Sequence, residues 1–155
     1  MSYPTFTSLS EVITHLNATG PDSNSNFQVY GLSVSSSTVQ AFVDHANKYL
    51  YSLVPNLQDS DIRWVSAELA ALDIACLGVL VAVVGGSLVG AYDYFLGDLR
   101  VARSSPYASA IKTAITNYQA DARANLQNVT LPVASAKAKL GENVIRRKDA
   151  RLDWQ

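Results

Sequence analysis

Ile74-Ala-Cys-Leu-Gly-Val-Leu-Val-Ala-Val-Val-Gly-Gly-Ser-Leu-Val-Gly-Ala-Tyr92 is a run of nineteen residues without a charge, bracketed by Asp73 and Asp93. Read as one helix, it is long enough to cross a hydrocarbon core about 30 Å thick. Its flanks argue against that: acids close both ends, Glu68 stands nearby, and the nearest cations, Arg63 and Arg100, are too distant to anchor a span on the cytoplasmic side. Gly85-Gly86-Ser87 also divides the run into an eleven-residue apolar piece and a five-residue remainder. Eleven residues suit a buried globular helix better than a membrane span. The expectation is a core helix that runs out at Val84, a hinge at Gly85-Gly86-Ser87, and an extended element ending at Val101.

Upstream, Asp59 is placed to cap this helix, with Asp61 in a first turn that the helix dipole favours. Ile62, Val65, Leu69, Leu72, Cys76, Leu80 and Val83 mark the stripe expected to be buried. From Ala75 to Val84 the polar face disappears, and a helix that is apolar all round must be surrounded. Cys76 lies inside that stretch as a lone cysteine, which excludes a disulfide within the chain and reads as core filler.

Helical spacing recurs on both sides. Leu9, Val12, Ile13 and Leu16 follow a Thr or Ser cap and predict a short helix. Val39, Phe42, Val43, Ala46, Leu50 and Leu53 follow the cap-rich Ser35-Ser-Ser-Thr38 and stop at Pro55-Asn56. Ile111, Ala114, Ile115, Tyr118, Ala122 and Leu126 follow Ser105-Pro106, which supplies a cap and a first-turn proline, and end near Val129. Between these elements, residues 18–26 carry Gly-Pro and a Ser/Asn run that favour a mobile loop. Phe27 to Val34 is biased toward extended backbone, with Gly31 weakening it as a strand. Tyr92 to Val101 reads as a small hairpin or bent strand about Gly97-Asp98.

The expected fold is therefore mainly α. It is a small bundle of three long helices plus a short N-terminal helix, with a small β-hairpin or extended element between helices two and three and an extended C-terminal arm. Residues 1–132 form the helical domain and 133–155 the basic arm. A chain of 155 residues fits one domain. The charged fraction of 16% is below the usual quarter, and a surface with so few ionic groups points to partners.

The charge is also uneven. Residues 1–100 carry three basic groups against nine acidic ones, whereas residues 101–155 carry nine basic against four acidic. The first half would repel phosphate, which disfavours nucleic acid as the main ligand. The basic end combines Arg146, Arg147, Lys148 and Arg151 with Leu152 and Trp154, a composition typical of interface anchors. A docking arm, a plain solvated surface and a nucleic-acid contact are the three readings of that segment.

Nothing in the chain spells out catalysis. His15 and His45 stand thirty residues apart, outside any metal-ligand spacing, so neither a metal nor another cofactor is expected. Asp93 and Asp98 lack a base, a nucleophile or a ligand to work with, and turn or cap duty explains them. Gly85-Gly86-Ser87 lacks the lysine of a phosphate loop, and the glycines at 86 and 90 have no strand before them. Two glycosylation sequons, at Asn17 and Asn128, require secretion to matter, and no basic n-region with an apolar core follows Met1. The cytoplasm is the expected site of synthesis.

Ser35-Ser-Ser-Thr-Val-Gln-Ala-Phe-Val-Asp-His-Ala-Asn47 resembles the first long helix of the head-to-tail adaptor proteins of tailed viruses, also known as head completion or connector proteins. Asp59 to Leu80 is similar to their second helix, and Phe95-Leu-Gly-Asp-Leu-Arg-Val101 to the short extended element before their last helix. The resemblance covers about two thirds of the chain and departs from the family in the long segment Met1 to Asn26 and in the apolar second helix. It implies a virion protein without enzymatic activity, a protomer of a homo-oligomeric, usually twelvefold ring beneath the portal protein. Such a ring meets a tail or stopper protein below, admits DNA only as a channel passenger and involves no membrane. In that setting the arm, Arg146, Arg147, Lys148, Arg151, Leu152 and Trp154, would grip the portal. The other readings are a small membrane-anchored, holin-like protein that uses residues 74–92 as a span, and a tail-interface or nucleic-acid-binding protein.

Overall fold

A computed structural model of the chain describes residues 3–84 and 108–130. In chain order these form α1 (Leu9–His15), β1 (Asn26–Val29), β2 (Leu32–Ser35), α2 (Ser36–Leu53), α3 (Trp64–Val83) and, as the last element, α4 (Ala108–Thr130). The fold is mainly α, with a short first helix, three long ones and a small antiparallel hairpin. The hairpin precedes α2. The one expected around Gly97-Asp98, like the C-terminal arm, lies outside the described residues.

Local chemistry sets most of the boundaries. Ser8 closes a capping box on α1: its side chain accepts from the Glu11 backbone N–H, and the Glu11 carboxylate accepts from the Ser8 N–H at 2.7 Å. Ser35 caps α2, its hydroxyl oxygen accepting from Thr38 N–H at 3.2 Å. The segment expected to be merely extended, 27–34, is the hairpin itself, paired Asn26 with Ser35 and Val29 with Leu32. Tyr30 and Gly31 both take positive φ, 51° and 76°. That is the two-residue turn whose twist suits paired strands, so Gly31 makes the hairpin rather than weakening it. Residues 18–26 are laced by hydrogen bonds: Thr19 pairs with Gln28, and the Asp22 carboxylate accepts from Asn24 and Asn26 N–H, each at 2.9 Å.

The start of α3 departs from expectation. Asp59 does not cap it, and the helix begins at Trp64, with Arg63 at the cap position making no side-chain cap bond. The reason is local competition. The Asp61 carboxylate accepts from Arg63 N–H at 2.9 Å and from the Arg63 guanidinium at 3.1 and 2.9 Å, while Trp64 N–H reaches back to the Asp61 carbonyl. That turn occupies the backbone that the helix would otherwise have recruited. At its other end α3 stops where the sequence reading put it, at Val83 with Val84 as cap, just before Gly85.

α3 is the central element, in contact with α1, α2, α4 and β2. Two observations fix the directions of its long neighbours. Gly78, late in α3, lies under the ring of Phe42, early in α2, so closely that a Cβ there would overlap it. α2 and α3 are therefore antiparallel. Asn125, late in α4, bonds to Asp73, while Tyr118, about two turns earlier, meets Cys76. α4 thus also runs antiparallel to α3, and the end of α2, the start of α3 and the end of α4 share one end of the bundle.

Above that end, the chain from Tyr3 to Thr7 is tied down by one buried side chain. Asn47 Oδ1 accepts from Phe6 N–H at 2.9 Å and Thr7 N–H at 3.0 Å, and Asn47 Nδ2 donates to the Thr7 carbonyl at 3.0 Å. This clamp lays Phe6 against Trp64, with ring centroids 4.8 Å apart, and Tyr3 against Tyr51 at 5.0 Å.

Candidate functional site

Along α3, Val65, Leu69, Asp73, Cys76 and Leu80 follow one another at intervals of three or four residues, with Ile62 in the turn just before the helix; Asp73 and Cys76 meet α4. The two halves of this series have opposite fates. Asp73, Cys76 and Leu80 are buried, whereas Ile62, Val65 and Leu69 are 37%, 60% and 45% exposed. Of the stripe expected to be buried along its whole length, Cys76 and Leu80 are buried, Leu72 and Val83 are half-buried, and Ile62, Val65 and Leu69 are exposed.

The correction has a physical cause. What α3 buries in its N-terminal half is a set of alanines, Ala67, Ala70 and Ala71, continued by Ala75, which let neighbouring helices approach closely. The larger side chains are left facing outward, close to where α4 ends at Thr130. Tyr49 and Leu53, in the last two turns of α2, are also about 40% exposed at this end of the bundle. Val65 and Leu69 thus stand exposed one turn apart on α3, with Ile62 exposed in the turn before it. Glu68, exposed on the same helix, lies next to the series in sequence, and the Asp61–Arg63 ion pair sits at its start. Glu68 Oε1 is held in place by the Trp64 indole N–H at 2.8 Å.

The covered half contains a polar seam. Asp73 is 6% exposed and accepts from Asn125 Nδ2 at 3.0 Å. Burial raises its pKa above the ordinary carboxylate value; the Asn125 bond opposes this, Asp121 reinforces it, and His15 opposes it. Burial likewise pushes the Cys76 thiol up to about 12, helped by the Asp73 charge and opposed by hydrogen bonding with the Tyr118 hydroxyl. The Tyr118 hydroxyl is itself raised, chiefly by burial. His15, exposed on α1, lies against the Tyr118 ring with centroids 5.6 Å apart. A thiol so far from ionising is no nucleophile, and the seam reads as a fixed, satisfied contact that sets α4 on α3.

Of the residues singled out in the sequence, His15 and His45 are both exposed and separate, and no group of three or more His, Cys, Asp or Glu able to hold a metal occurs among the described residues. Asp93, Asp98, Gly86, Gly90 and the arm residues Arg146, Arg147, Lys148, Arg151, Leu152 and Trp154 lie outside the described residues. Sequence reasoning missed Asn47, Asp73 as a buried partner of Asn125, and Gly78 as the close approach of α2. It also missed which half of the α3 stripe stays open. A signal for the last was present, in the series of alanines on the opposite face of the same helix.

By length and composition α3 passes as a candidate membrane span, with 56% of its apolar window buried inside the fold. No family model matches the chain, no curated protein matches it in sequence, and no solved structure matches it in fold.

Proposed function

We propose that the chain is a non-enzymatic structural subunit of a tailed-virus particle, a head-to-tail adaptor that assembles as a homo-oligomeric ring beneath the portal. The observation that carries this reading is the half-covered face of α3. A subunit that leaves Ile62, Val65 and Leu69 open in series is built to be completed by other chains. A ring of identical subunits supplies such cover, because each copy offers two different patches and both are buried when the ring closes.

The mainly helical bundle and the resemblance of residues 35–47, 59–80 and 95–101 to adaptor elements agree with it. Charge agrees as well. The described residues hold eight acidic against four basic side chains, a balance that lets DNA pass through a channel without adhering. In this reading the ring stands beneath the portal, a tail or stopper protein lies below, and the protein resides in the virion.

The membrane-anchored alternative draws on the apolarity of α3 alone. Four elements packed around that helix, and a buried carboxylate within it bonded to Asn125, support enclosure by protein instead. The test is to mix the purified chain with the portal protein encoded beside it and image the product. Rings of this protein stacked on portal rings are expected. A chain that stays single both alone and with the portal, or that sediments with membranes after detergent-free lysis, overturns the proposal.

A further inference from the structure

We infer that the open half of the α3 face is the socket for the basic C-terminal segment, Arg146 to Trp154, of a neighbouring copy of the same chain. The inference rests on the reading of the chain as a self-assembling subunit and names the contact that joins one subunit to the next.

Three observations converge on it. The socket is apolar at its centre, with Val65 and Leu69, and carries the exposed carboxylate of Glu68 on the same helix, while Arg63 at its start is already paired with Asp61. The segment has the opposite pattern, with cations at Arg146, Arg147, Lys148 and Arg151 leading to the apolar Leu152 and Trp154. Charge thus meets opposite charge while an aromatic anchor meets apolar surface, the combination that supplies both steering and hot-spot burial. Among the described residues, moreover, Val65 and Leu69 are left exposed.

Geometry permits the exchange. α4 ends at Thr130, at the end of the bundle that carries the socket, so copies standing side by side present socket and departing chain at one level. Fifteen residues separate Thr130 from Arg146. Fully extended they reach at most about 50 Å, more than the width of a domain of this size. The helical part of the socket, from Val65 to Leu69, is about 6 Å long. Because the donated segment and the receiving face are different surfaces, each copy gives once and receives once. Such contacts close into a ring, or run on as a filament when the rotation does not close.

The experiment uses two full-length variants. One disables the segment by Arg146→Gln, Arg147→Gln and Trp154→Ser; the other disables the socket by Val65→Ser and Leu69→Asn, both at exposed positions that leave the core intact. Sedimentation velocity is read for the parent chain, each variant alone, and an equimolar mixture, with circular dichroism confirming that both variants are folded. The parent is expected to form large oligomers, and each variant to need at least about tenfold higher concentration to associate. The mixture is expected to form one-to-one pairs, since the intact segment of one variant finds the intact socket of the other. Variants that assemble like the parent, or a mixture that stays single as it would if each segment folded onto its own socket, overturn this inference while leaving self-assembly standing. A parent that is single at every concentration overturns the subunit reading and this contact with it.

Discussion

Replacing Asn47 by alanine removes the side chain that ties the backbone of Phe6 and Thr7 to the bundle. Asn47 satisfies two buried N–H groups, those of Phe6 and Thr7, and one carbonyl, that of Thr7. Thr7 is 2% exposed, so water does not replace what is lost. At about 1 kcal/mol for each abandoned group the loss is about 3 kcal/mol, of which alanine's better helix propensity returns about 0.5 kcal/mol. A net loss of about 2.5 kcal/mol lowers the Tm of a chain this size by about 5–10 °C. Asn47→Asp keeps both bonds from the N–H groups but sets a carboxylate oxygen against the Thr7 carbonyl, and falls between the parent and the alanine variant. Urea unfolding with an unchanged m value gives the free energies, and hydrogen exchange at Phe6 and Thr7 gives the location. If Asn47→Ala costs less than about 0.5 kcal/mol, or if exchange at those two amides stays slow, the clamp is not what holds the segment.

Gly78→Ala places a methyl group into the Phe42 ring and costs about 1–3 kcal/mol by overpacking; Phe42→Leu in the same chain recovers part of it, and strict additivity in that double-mutant cycle would deny the contact. The raised pKa of Asp73 means that the folded chain holds that proton more tightly than the unfolded chain, so its charge costs stability as pH rises through the folded value. Asp73→Asn, which keeps an acceptor for Asn125, is therefore expected to raise Tm at pH 7. That advantage fades as pH falls below the ordinary carboxylate range, and an advantage that grew on acidification would refute the assignment. Cys76, fully buried with its thiol pushed up to about 12, should resist a thiol reagent until the protein unfolds; labelling of the native chain at the rate of a free thiol would contradict its placement.

What was legible in the sequence was whatever a single helix face dictates. The stripes of α2 and α4, the caps at Ser8 and Ser35, and the stop before Gly85 rest on spacing and capping chemistry that need no knowledge of neighbours, while the cap expected at Ser105-Pro106 lies outside the described residues. α3 was harder. When apolar residues occupy every side of a helix, periodicity no longer says which side is inward, and the larger side chains Val65 and Leu69 outvoted the alanines that the structure buries. Phe42 over Gly78, Asn47 on Phe6 and Thr7, and Asn125 on Asp73 each join residues 36 or more positions apart. No local pattern encodes such pairs. Asp59 failed as a cap for a nearer reason, since Asp61 and Arg63 make a competing turn within three residues.

The central claim is that the open half of the α3 face is where one subunit is completed by another. Native mass spectrometry of the full-length chain at rising concentration, beside a Val65→Lys, Leu69→Lys variant, measures it directly. A discrete closed oligomer for the parent and single chains for the variant are the predicted result. The same oligomer from both, or single chains from both, would contradict it.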